Sequence, residues 1–136
     1  MTPYHGHLVV VGFNGSRRSD RALAYAAGHA ARTGADLLLV LAGEDPAPWP
    51  THAVPRERRI RRLHAQAESL LLGLEVHWQL LVSAAGPRSA LRQSARRYQA
   101  DLIVVGASAP HWHRLLTDRV GAALARSAPS PILVVP

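Results

Sequence analysis

The chain has 136 residues and a formal net charge of +7; all sixteen of its basic residues are arginine, and it contains no cysteine. Without cysteine there are no disulfides, thiolate metal sites or cysteine nucleophiles; without lysine there is neither a Walker-type phosphate loop nor a Schiff-base enzyme. No apolar run approaches the ~20 residues of a membrane span, and the first residues, MTPYHGH, lack the basic start and apolar stretch of a secretory signal, so a cytoplasmic protein of one domain, residues 1–136, is expected.

HLVVVGF, His7 to Phe13, is a continuous β-branched run with no polar alternation, the pattern of a strand covered on both faces. Asp20 to Thr33 then places Leu23, Ala26, Ala27, Ala30 and Ala31 at helical spacing, with Ser19 as the expected cap and Gly34 as the stop. Ala35 to Gly43 is a second buried run. It leads into EDPAPWPTHAVP, whose four prolines in twelve residues exclude a helix or strand interior.

From Arg56 to Leu72 the residues Ile60, Leu63, Ala67, Leu70 and Leu71 mark a second helix. Leu74 to Val82 reads as a third strand, and Pro87 suits the first turn of a helix running to about Gln99. DLIVVG, a loop, a helix from about Asp118 to Ser127 and the closing run PILVVP complete a βαβαβαβαβ order. Crossovers of this length require parallel pairing, which predicts an α/β fold: a doubly wound five-stranded parallel sheet with helices on both faces. In such sheets a ligand is expected beyond the carboxyl ends of the strands, where the strand order reverses.

Several segments together resemble the universal stress protein family. VVVGFNGSRRSDRALAYAAGHA is similar to its buried strand, Asp-Gly-Ser turn and alanine-rich helix; ADLLLVL is similar to its second strand. AAGPRSALRQSARRYQADLIVVGAS is similar to its Gly-Pro helix and glycine-ended strand, and ARSAPSPILVVP to its closing helix, Ala-Pro-x-Pro turn and last strand. The resemblance implies an adenine nucleotide α-hydrolase-like sheet of order 3-2-1-4-5, with the reversal between strands one and four. It also implies two branches. One holds ATP in the crevice, adenine near strands one and two, phosphates in a loop after strand four of the form Gly-x-x-Gly, nine residues, then Gly-Ser or Gly-Thr; in the other that loop is altered.

Glycines serve such a loop because its backbone N–H groups must turn inward toward phosphate oxygens with no Cβ between. Here Gly106 matches the first position, but Ala109 takes the second glycine's place and Pro110 follows it, fixing φ and removing a donor. A nine-residue spacer makes the terminal pair Arg119 and Val120; alignment backward from SAPSP makes it Asp118 and Arg119. Arg119 offers a fork for a phosphate, whereas Thr117 or Asp118 offers a helix cap that fills the space with the protein's own oxygen.

At the first turn Asn14 stands where the resemblance implies a ribose-binding aspartate, with turn formation as its second role, and Gly12 and Gly15 keep the corner open. Ala42 matches the position whose backbone meets adenine. The candidate nucleotide site is therefore Gly12, Asn14, Gly15, Ala42, Gly106, Ala109, Arg119 and Val120, with no cofactor required and ATP as the ligand it would take. His111 and His113 in the spacer have no acidic third ligand beside them and make no metal site.

No carboxylate pair, Ser/His/Asp arrangement or Gly-x-Ser-x-Gly elbow is present, so a non-enzymatic regulatory module is expected. The cluster Arg56–Arg62 and the stripe Arg88, Arg92, Arg96 fit an acidic protein partner, while seven aromatics without basic-aromatic interleaving argue against a nucleic-acid reader. PILVVP, Pro131 to Pro136, forms an apolar edge strand, a hazard that pairing with a second copy removes; the resemblance implies such a homodimer.

Overall fold

The computed structural model describes residues 6–42, 56–107 and 130–136. Five strands, β1 (Leu8–Gly12), β2 (Asp36–Leu41), β3 (Trp78–Val82), β4 (Leu102–Gly106) and β5 (Ile132–Val135), form one sheet of order β3-β2-β1-β4-β5. All four pairings are parallel. Between them run α1 (Arg17–Thr33), α2 (Arg56–Leu71) and α3 (Pro87–Arg97). The expected fourth helix, the proline loop and most of the loop after β4 lie outside the described residues.

The continuous apolar runs of β1 and β2 serve two cores at once, because successive side chains point to opposite faces. Val9, Val11, Leu37, Leu39 and Leu41 pack under α1 and α2 with Ala22, Ala26, Ala30, Leu63 and Ala67. Leu8, Val10, Leu38 and Val40 pack under α3 with Ala90, Leu91 and Ala95. Each fully buried Val or Leu stabilises the fold by ~1.5–3 kcal/mol relative to exposure, and among the described residues these two strands supply most of the largest fully buried side chains. On the α2 side, the His64 ring lies 5.0 Å from that of Trp78 and ties the helix to β3.

Two boundaries differ from expectation by more than two residues. α1 begins at Arg17, and its cap is Ser16 rather than Ser19: Ser16 Oγ accepts from Ser19 N at 3.2 Å. Ser19 is instead buried within the first turn, where its hydroxyl donates to Ser16 O at 3.0 Å. β3 begins at Trp78 rather than Leu74: its first ladder partner is Leu37, next to the first residue of β2, and Leu37 N donates to His77 O at 2.9 Å just before the strand.

One glycine sets how closely α1 sits on the sheet. A Cβ at Gly106 would lie 2.5 Å from Arg18 O and 2.6 Å from Arg18 C, which are main-chain atoms of the first turn of α1. At Gly12, by contrast, a Cβ would meet Val105 Cγ1 at 3.4 Å, an ordinary contact. Gly106→Ala is therefore expected to cost ~1–3 kcal/mol by forcing helix and strand apart, against under ~1 kcal/mol for Gly12→Ala. Urea midpoints of the two variants check this; equal midpoints would contradict it.

Candidate functional site

β1 pairs with β2 on one side and β4 on the other, so strand order reverses between β1 and β4, and sheets of this kind take their ligand in the crevice beyond the carboxyl ends at that point. The carboxyl ends of β1, β2, β3 and β4 border it. Phe13 N donates to Val40 O at 3.0 Å, Ser83 N to Leu41 O at 2.9 Å, and Ala107 N to Val135 O at 2.8 Å, so the ladder continues just past each strand and holds the rim in place.

The turn after β1 is locked by its own side chains. Asn14 Oδ1 accepts from Ser16 N at 3.0 Å, an Asx turn that fixes the entry into α1. Asn14 N donates to the Ser19 hydroxyl at 3.3 Å. Gly15 has φ +82°, a backbone conformation that favours glycine, and a Cβ there would lie 2.5 Å from Leu63 Cδ2, so that side chain of α2 would have to move. From α2, Gln66 Nε2 donates to Gly15 O at 3.1 Å and to Asp20 Oδ1 at 2.7 Å. One amide thus ties α2 to the turn and to the first turns of α1.

Across the crevice, Arg18 Nη1 donates to Ala107 O at 2.7 Å, directly after Gly106. A guanidinium therefore stands where the loop after β4 departs, brought there by the same Gly106 contact that seats α1. The site's basic character at this point comes from α1, not only from the loop.

Of the residues read from the sequence, Gly12, Asn14 and Gly15 stand at the end of β1, Ala42 just after β2 and Gly106 at the end of β4. Ala109, Arg119 and Val120 lie outside the described residues. Gly12 packs against Leu91 and Val105 in the second core, so the open corner is the work of Gly15. Sequence reading missed Arg18, Ser19 and Gln66 as parts of the rim. Arg18 is one of two adjacent arginines and carries no pattern of its own; Gln66 left a signal, a polar residue flanking Leu63 and Ala67 on the buried stripe of α2. Among the described residues, no group of three or more His, Asp or Glu is placed to hold a metal ion, and none of the helices is long and apolar enough to cross a membrane.

The model of the universal stress protein family matches residues 7–136. No curated protein matches the sequence. Among solved structures, a universal stress protein in complex with cAMP is 27% identical, with 99% of each chain covered and a TM-score of 0.64. Universal stress protein UspA from Lactobacillus plantarum is 19% identical, covering 96% of this chain and 97% of its own, TM-score 0.67. That from Archaeoglobus fulgidus in complex with dAMP is 21% identical over 97% and 98%, TM-score 0.64. With the family's pattern matched from the first strand to the last, and its strand order built as described, this chain belongs to the universal stress protein family.

Proposed function

We propose that this chain is a cytoplasmic, non-catalytic regulatory module of the stress response whose crevice has lost the triphosphate grip of ATP-binding relatives. The observation that carries the reading is the loop after β4, where Gly106 is followed by Ala109-Pro110 and by Asp118, Arg119 and Val120 in place of the further glycines and the Gly-Ser pair. Ala109 and Pro110 take away the conformational freedom and one donor that a phosphate cradle needs. Asp118 adds a negative charge beside an anion, worth of order 1 kcal/mol or more in repulsion when partly desolvated.

The remaining half of the site is better preserved. Asn14 supplies a neutral amide toward a ribose, weaker than a carboxylate, with its Oδ1 engaged by Ser16 N. Ala42 keeps a backbone available to adenine. The similarity to a family member in complex with cAMP favours, as a second reading, an adenosine monophosphate in the same crevice, since a single phosphate needs less of the altered loop. Asn14, Gly15, Ala42 and Gly106 would carry it, with Arg18 and Arg119 as the cationic side chains near the phosphate.

Calorimetric titration separates the readings. With ATP and magnesium, no saturable binding tighter than ~100 μM, about 5.5 kcal/mol, is expected; tighter binding would overturn the loss of the triphosphate grip. Saturable binding of AMP or cAMP beside a blank ATP titration would select the second reading.

The proposed assembly is a homodimer through β5. This strand is a sheet edge with Ile132, Leu133, Val134 and Val135 all half-buried, and pairing with its copy satisfies the free backbone groups. An acidic protein would find two separate basic helices, since α2 packs on one face of the sheet and α3 on the other. Light scattering at micromolar concentration is expected to give twice the chain mass of 14.7 kDa; a monomer would contradict the pairing.

A further inference from the structure

A cavity of about 510 Å³ runs between α3 and the edge strand β3; its lining includes Leu81, Ala90, Gln93, Arg96, Arg97 and Tyr98. It runs along the sheet edge from Val82, Ser83 and Ala84, at the carboxyl end of β3, toward the end of α3. α3 returns the chain from the carboxyl ends of the strands to their amino ends, where Asp101 N donates to Leu8 O at 2.8 Å. Arg96, Arg97 and Tyr98 therefore stand at the opposite end of the sheet from Asn14 and Gly106.

The floor and wall of this cavity differ in chemistry. Leu81 and Ala90 belong to the second apolar core, so the floor is a continuation of the protein interior. The wall is cationic. α3 carries Arg88, Arg92, Arg96 and Arg97 and no acidic residue in its 11 residues, and like charges four apart repel. Neither Arg96 nor Arg97 has a carboxylate partner among the described residues. The acid nearest in sequence, Asp101, is engaged by Leu8 N at 2.8 Å and lies 3.4 Å from His7 Nδ1.

Arg97 is also held in place before any ligand arrives. Its guanidinium carbon lies 5.5 Å from the centroid of the Tyr98 ring, a cation–π contact. A pre-placed planar fork loses less freedom on binding an oxyanion than a free side chain does.

We propose that this cavity binds a small organic anion with an apolar body. Arg96 and Arg97 take its carboxylate, phosphate or sulfonate head, Gln93 donates a further hydrogen bond, and Leu81 and Ala90 receive the aliphatic or aromatic body. Guanidinium pairs recognise such heads with charge-assisted, often bidentate bonds. The volume falls in the range of small-molecule sites, ~300–1,000 Å³, whose walls are mostly apolar with a few polar groups that set orientation. A nucleic-acid backbone would use the arginines and leave the apolar floor unused, which is why the small anion is the better match.

The experiment is a fluorescence titration of the native full chain with 8-anilinonaphthalene-1-sulfonate, followed by competition with decanoate. Saturable binding at one dye per chain, displaced by decanoate, is expected. The double variant R96E/R97E is expected to weaken dye binding at least about tenfold, equivalent to about 1.4 kcal/mol, with R96K/R97K in between. R88E/R92E makes the same charge change on α3 outside the cavity lining and is expected to leave the affinity within about twofold. All four altered positions lie on α3 and none is buried, and circular dichroism confirms that each variant remains folded. Absence of saturable binding, failure of decanoate to compete, or equal weakening by R88E/R92E and R96E/R97E would overturn the proposal.

Discussion

The approach of α1 to the end of β4 is the constraint on which the crevice depends. It exists because Gly106 has no Cβ: an added methyl would overlap the main chain of Arg18. With that approach allowed, the Arg18 guanidinium reaches Ala107 O at 2.7 Å, while Ala107 N continues the ladder to Val135 of β5. One missing side chain thereby joins α1, β4 and β5 at the point where the loop leaves the sheet. Gly106 thus has a packing role that is independent of any phosphate.

The opposite side of the crevice is held by polar contacts rather than by close packing. Gly15 allows the left-handed turn, Asn14 and Ser16 close it locally, and Gln66 reaches across from α2 to the Gly15 carbonyl and Asp20. Helix α2 is thus mechanically connected to the turn that would face a ribose. The two halves of the site differ in kind: the β4 side is fixed by main-chain contact, the β1 side by a removable amide.

Much of the fold was legible because buried parallel strands leave an unmistakable record. Runs such as LVVVG and DLLLVL can be satisfied only between two apolar layers, and the glycines and prolines between runs separated the elements. The start of α1 was misplaced because Asn14, Ser16 and Ser19 are all chemically able to cap, and only the three-dimensional turn decides that Ser16 does so. The start of β3 is illegible for a different reason: it is set by the pairing with β2, which starts from Leu37 as first partner, and pairing is not written in the strand's own residues. The site was legible where glycine chemistry dictates geometry, at Gly15 and Gly106. It was illegible where long side chains from distant positions converge, as Arg18 and Gln66 do.

The altered loop and the packing role of Gly106 lead to a single central claim, that this member of the universal stress protein family no longer retains a triphosphate nucleotide. The most direct measurement is the nucleotide content of the freshly purified chain, extracted with acid and separated by chromatography. The account predicts far less than one ATP per chain. Near-stoichiometric ATP in the extract would contradict it.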